Sequence, residues 1–240
     1  MSAFNRGLAW YRYKHLEDEF INSTFYFPFQ DKHKNIWSEF FSDLLTKIGN
    51  SVDTFFRDML KDPMFDNFSH VSTLKMSGRA LDINYFRDFF EPIYKLSSAE
   101  VQTAYGLTLY GKCTPFEGFL DKENNKIPKW WFAYDHIKHK WFDCIEEATL
   151  EHTINGLASL FLLNVLHKES QKYLIEYQDV IISDFSNISE PTSAYTFNEF
   201  KKSMIGISKG FSGYNYRART PLFIHFFRLD ETAKVLNLHT

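Results

Sequence analysis

Residues 154–166 form the longest apolar run in the chain, thirteen positions in which only Asn155, Ser159 and Asn164 are polar. A bilayer span needs roughly 20 such residues, so this run belongs to a core helix rather than a membrane segment. Its stripe is Ile154, Leu157, Phe161 and Val165, and beyond Leu157 it is apolar nearly all round. A helix of that kind must be surrounded by other elements, which constrains the fold more than any other stretch does. Gly and Pro, ten and seven residues, supply about 7% of the chain against the usual ~12%. Few breakers and many large side chains favour long helices over a turn-rich β sandwich. The expected fold class is all-α, a helical bundle of four or five main helices with irregular N- and C-terminal elaborations.

The other elements follow from periodicity. In residues 33–61, Trp37, Phe41, Leu44, Ile48, Val52, Phe55 and Met59 recur at steps of three and four and share one face. Asp53 and Arg57 form an i,i+4 pair outside it, Gly49 weakens the middle, and Asp62-Pro63 ends the helix. Residues 62–81 lack a period and are expected to be mostly loop. Asp82 fits an N-cap for a helix through Ile83, Phe86, Phe90 and Ile93, which Pro92 should kink or end. Ser97-x-x-Glu100 has capping-box spacing and predicts a short helix to about residue 105. Residues 106–127 have loop chemistry.

Pro128 fits the first turn of the next helix, on which Trp130, Tyr134, Ile137 and Trp141 make an aromatic stripe. Asp143 and Glu146 repeat the capping-box spacing and predict the start of the long buried helix. Residues 1–30 read as a loose aromatic segment with one short helix that packs aromatics onto the body. Residues 31–170 read as the helical bundle and 171–240 as an extension packed on the same domain. Within that extension, 173–182 fits helix or strand equally, and 210–219 reads as irregular or as an edge hairpin.

Composition excludes some classes of function. Hydrophobic residues at 44% and charged residues at 24% exclude disorder over most of the length. A net charge of −3 announces neither a nucleic acid nor a membrane partner. Residues 1–13 contain no apolar run suited to a signal peptide, and Cys113 and Cys144 lack CxxC spacing. Reduced thiols, a cytoplasmic location and no membrane partner are the expectations. A Gly-rich phosphate loop and a nucleophile elbow are both missing from the sequence.

Functional groups concentrate in residues 130–139. On a helix, Asp135 and His139 lie one turn apart, as do Tyr134 and Lys138, and His139 precedes Asp143 by four. A carboxylate beside an imidazole fixes the ring and suits general acid–base work, and equally it can be a structural pair beside an aromatic core. His136 and His139 at i,i+3, with Asp135 and Asp143 nearby, could hold a metal. Helical metal sites draw ligands from several helices, and the chain offers no second motif such as Glu-x-x-His, so no metal and no cofactor are expected. His152 and His167 read as core or rim histidines.

The pattern Trp130-Trp131-x-x-Tyr134-Asp135-x-x-Lys138-His139, leading into the apolar helix of residues 148–166, resembles the HEPN superfamily of helical bundles. It is most similar to a prokaryotic branch with an aromatic pair and a Tyr-Asn-x-x-Lys-His signature, and the likeness covers residues 30–168. The resemblance implies an RNA-related role in a defence or toxin–antitoxin setting. Many such proteins are metal-independent endoribonucleases that act as homodimers, some with an antitoxin partner. Their His moves a proton at the 2′-hydroxyl and their Arg stabilises the phosphorane. By position His139 matches the His and Asp135 the polar residue, while the Arg position falls on Tyr134, with Lys138 the nearest cation on the helix. Catalytic candidates are therefore His139, Asp135, Lys138 and Tyr134. A non-catalytic binding or scaffolding member, or a structural dimer subunit, fits the same residues.

Two further signals lie toward the C-terminus. Arg217 and Arg219, interleaved with Tyr214 and Tyr216, are candidate RNA-binding residues, since stacking plus phosphate contact grips single strands. Arg219 to His225 also matches a loose Arg-x(4–6)-His spacing, at a frequency of about one per chain by chance. The abundance of Phe, Tyr and Trp serves burial on helical stripes, with a surplus that suits a dimer face.

Overall fold

The structure, a computed structural model, describes residues 6–23, 26, 31–103, 113–119, 127–167, 215–220 and 223–228. Among them are seven α-helices: α1 (Arg6–Ser23), α2 (Glu39–Met59), α3 (Ser69–Met76), α4 (Ile83–Tyr94), α5 (Lys129–His139), α6 (Trp141–Cys144) and α7 (Leu150–Leu166). The body is all-α. Three short strands, β1 (Gln102–Thr103), β2 (Asn215–Arg219) and β3 (Phe223–Arg228), add a small antiparallel sheet in the order β1-β3-β2. No helix among the described residues is long and apolar enough to cross a membrane. The segment 173–182 lies outside the described residues.

Helix α7 is the hub, as its all-round apolarity demands: it packs against α1, α2, α5 and β3, and every residue from Gly156 to Leu166 is buried. Its start differs from the expected capping box at Asp143. Those residues fold into α6 and a 3-10 turn, and Thr149 is the N-cap, accepting from His152 N. The reason is tertiary. Leu150 N donates to Ile36 O at 2.8 Å and Glu151 N to Lys34 O at 3.0 Å, so two of the unpaired amides of a helix start are taken up by a distant loop.

Helix α2 forms as its stripe predicts, capped by Ser38, with Phe41, Leu44, Ile48, Val52, Phe55 and Met59 buried; Trp37 stands outside it, half exposed, bridging Thr149. Asp82 caps α4 by accepting from Tyr85 N at 2.8 Å, and the helix runs two residues past Pro92 before Lys95 closes it with φ of 48°.

Several local expectations change. The loose N-terminal segment is an 18-residue helix, α1, whose Trp10, Tyr13, Leu16 and Phe20 are buried against α2 and α7. The loop expected at 62–81 contains a 3-10 turn (Pro63–Asn67) and α3, in which Val71 is the buried position; one buried site in eight residues leaves no stripe to read. Ser97 does not open a helix: its amide and hydroxyl bond the buried Glu91 carboxylate, and Val101 pairs with Cys113 in extended form. The 210–219 region contributes β2, one edge of the sheet, register-paired from Asn215↔Arg228 to Arg219↔Ile224. Phe223 stacks toward Phe161 of α7, and Thr220 bonds the buried Tyr13 and Glu17 of α1, fastening the hairpin to the helices.

Candidate functional site

Helix α5 begins at Pro128, whose carbonyl accepts from Trp131 N and Phe132 N. Trp130, Trp131, Tyr134 and Ile137 are buried on its inner face, with Trp130 Nε1 donating to Pro115 O at 2.7 Å. That burial fixes the rotation of the helix and turns Asp135, Lys138 and His139 outward. The helix breaks at Lys140 (φ −142°, ψ 49°), so Trp141 starts α6 rather than continuing the stripe; it is half buried, with Nε1 on Ser42 Oγ. Asp143 belongs to α6 and is no longer one helical turn from His139.

Asp135 and His139 meet across one turn at 3.6 Å, with side chains 56% and 64% exposed. The imidazole is open to solvent and is not sealed under Trp130 or Trp141. An exposed pair of this length contributes little to stability. Chemically, a carboxylate–imidazole pair in this setting can orient the ring and exchange a proton with solvent or a ligand.

Tyr134 is held differently. Its ring lies on the backbone of α2 at Gly49, where an added Cβ would overlap the ring. The hydroxyl donates to Asn50 Oδ1 at 2.8 Å and accepts from Lys138 Nζ at 3.1 Å. Burial raises the phenol above its ordinary pKa, with Lys138 opposing; the same hydrogen bond raises the Lys138 ammonium. Tyr134 therefore stays a neutral hydroxyl, and Lys138 keeps its charge beside it.

Sequence order hides a second cation. Arg57 of α2 pairs with Asp53 at 2.7 Å and donates to Leu81 O at 2.9 Å. Its guanidinium also lies 5.7 Å from the centre of the Phe86 ring of α4. Asn50 is therefore the α2 residue that bonds Tyr134, while Arg57 is engaged toward Leu81 and Phe86. The i,i+4 pair is visible in the sequence; its contacts with Leu81 and Phe86 depend on how α4 packs on α2.

The two histidines of the i,i+3 pair separate. His139 meets Asp135, while His136 Nδ1 lies 3.0 Å from Glu147 Oε1, and Cys144 joins that pair with all three ligand atoms within 4.8 Å of one another. Desolvation and then the charges of Glu147 and Asp143 raise the Cys144 thiol. Burial pushes Cys113 up to about 12, so it is an inert thiol. His152 Nδ1 bonds Glu147 O at 2.7 Å, and His167 is buried with Nε2 3.6 Å from Asp62, a rim and a core position as expected.

Arg217 and Arg219 fall on β2, opposite Phe226 and Ile224; their side chains lie outside the described residues. Arg219 and His225 occupy the two strands of the hairpin, so that spacing does not mark a helix start. The hairpin is fastened to α1 and α7 rather than built into the α5 cluster. Comparison with protein-family models, curated proteins and solved structures returns no match for this chain.

Proposed function

We propose that the protein is a HEPN-like RNA-handling protein whose site is the C-terminal half of α5 with the adjoining face of α2. The observation that carries the reading is the solvent-open His139 with Asp135 at 3.6 Å. An imidazole there takes the proton of an RNA 2′-hydroxyl as the 2′-oxygen bonds the adjacent phosphorus, the P–O5′ bond breaks, and the departing 5′-oxygen takes a proton from water. Charge on the phosphorane needs a cation. Lys138, hydrogen-bonded to the Tyr134 hydroxyl, is the cation at hand where the family arginine is replaced. Such chemistry requires no metal.

The engagement of Tyr134 with Asn50 and Lys138 favours a second reading, a binding or scaffolding member in which the same surface holds RNA without cutting it. In either case Arg217 and Arg219 of β2 remain candidates for a separate RNA contact. A homodimer would cover the exposed aromatics near the site, Phe132, Trp141 and the 90% exposed Phe142, and an antitoxin could occupy the same face. A cytoplasmic setting fits these partners.

The test is cleavage of single-stranded RNA in excess chelator. The catalytic reading expects cutting that His139→Ala abolishes with an unchanged melting curve. RNA binding without cutting, weakened by Lys138→Ala, selects the second reading. Neither binding nor cutting refutes both.

A further inference from the structure

His136, Cys144 and Glu147 come from twelve consecutive residues, 136–147, folded back on themselves at the α5–α6 break. We infer that these three side chains form a binding site for a divalent ion of the zinc class. Imidazole nitrogen, thiolate sulfur and carboxylate oxygen together make a borderline-soft donor set, which suits Zn²⁺ and Co²⁺ and not the all-oxygen shells of Mg²⁺ or Ca²⁺.

The geometry agrees with that chemistry. Tetrahedral zinc, with bonds of about 2.0–2.3 Å, requires neighbouring ligand atoms about 3.4–3.7 Å apart. Here all three ligand atoms lie within 4.8 Å of one another, with His136 Nδ1 to Glu147 Oε1 at 3.0 Å. An ion needs only to part that hydrogen bond by a few tenths of an ångström and draw in Cys144 Sγ. A His–Glu ion pair would be complete without the thiol, so the third, soft donor is what separates this cluster from an ordinary surface pair.

The site is also preorganised by its backbone. Lys140 N donates to His136 O at 2.7 Å, Cys144 N to Lys140 O at 3.0 Å and Thr149 N to Glu147 O at 2.8 Å, so each ligand sits on a hydrogen-bonded turn. The Phe132 ring packs 3.9 Å from the His136 ring, and His152 Nδ1 bonds the Glu147 carbonyl, which holds the turn that carries the carboxylate. All three ligands are half-buried. That leaves a fourth position reachable by water, the arrangement of an open three-ligand site. An ion here clamps α5, α6 and the 3-10 turn that leads into α7, and so steadies the helix end that presents His139. The inference does not depend on RNA chemistry, since His139 and Asp135 take no part in the site.

The test uses Co²⁺ alone, added to chelator-treated full-length protein and read by absorbance. The expected result is one equivalent bound with the intense visible bands of four-coordinate cobalt and a thiolate-to-cobalt charge-transfer band, both displaced by Zn²⁺. Cys144→Ser should abolish the charge-transfer band while Cys113→Ser preserves it. His136→Ala and Glu147→Gln should each weaken Co²⁺ by at least ~10-fold, since even outer partners of ligands carry that much. Circular dichroism of each variant reports folding. Should Glu147→Gln disturb the turn, Cys144→Ser in folded protein still decides the matter. Weak octahedral bands, or a spectrum identical in Cys144→Ser, would overturn the inference.

Discussion

The contact between Gly49 and Tyr134 sets the spacing of α2 and α5 and thereby the whole α5 face, so Gly49→Ala is its most direct probe. On an open helix surface this substitution stabilises by roughly 1 kcal/mol, because glycine loses more backbone entropy on folding than alanine does. Here the new Cβ would overlap three ring carbons of Tyr134, well inside the 3.0 Å below which real Cβ contacts essentially do not occur. The ring cannot swing away. Tyr134 is 2% exposed, packs edge-on to Trp131 at 5.2 Å and is tied through its hydroxyl to Asn50. Overpacking against such a wall costs about 3 kcal/mol, the upper end of the usual range. The net expectation is therefore destabilisation by about 2 kcal/mol, or a fall in Tm of ~4–8 °C for a chain of this size. Urea unfolding of four proteins makes the measurement sharp: wild type, Gly49→Ala, Tyr134→Ala and the double variant. Tyr134→Ala removes the obstacle, so in that background Gly49→Ala should change sign and become neutral or stabilising, with a coupling of about 2–3 kcal/mol. If Gly49→Ala is as stable as wild type, or its effect is the same in both backgrounds, the ring does not rest on α2 and the site geometry described here is wrong.

Other outcomes follow from the same contacts. Tyr134→Phe removes the hydroxyl that joins Asn50 to Lys138 and should lower stability by about 1 kcal/mol in urea titration, while leaving the α2–α5 packing intact. Thr220→Val strips a hydrogen bond from the buried Glu17 carboxylate and should cost about 1–3 kcal/mol with an unchanged denaturant slope; a neutral result would mean that the hairpin is not fastened to α1 through this residue. The Cys113 thiol, ordinarily near 9 and raised to about 12 by burial, binds its proton more tightly folded than unfolded. Stability should then fall as pH rises from about 9 toward 12, and the slope over that window should be shallower in Cys113→Ala. At pH 8, peptide mapping after iodoacetamide should find Cys144 labelled before Cys113, because a thiol raised to about 12 presents almost no thiolate.

Much of this protein can be read from residue order alone, wherever one element's own period decides the outcome. The all-helical body follows from 154–166, the buried stripes of α2 and α4 from steps of three and four, the cap at Asp82 and the meeting of Asp135 with His139 from spacing within a single helix. What the linear pattern hides depends on elements meeting. Helix α3 buries Val71 alone and shows no stripe, and α1 has mixed sides until α2 and α7 cover Trp10 and Phe20. The start of α7 is chosen by carbonyls of Lys34 and Ile36, more than a hundred residues away, which outcompete a local capping box. The same holds for the site. Asn50 bonds Tyr134 only because Gly49 admits a ring between two helices, and Cys144 and Glu147 meet His136 only because the chain turns at Lys140, where Trp141 makes the apolar rhythm look unbroken. Periodicity reports which face of an element prefers to leave water; it carries no record of which distant face will cover it, and that pairing is settled by shape when the helices pack.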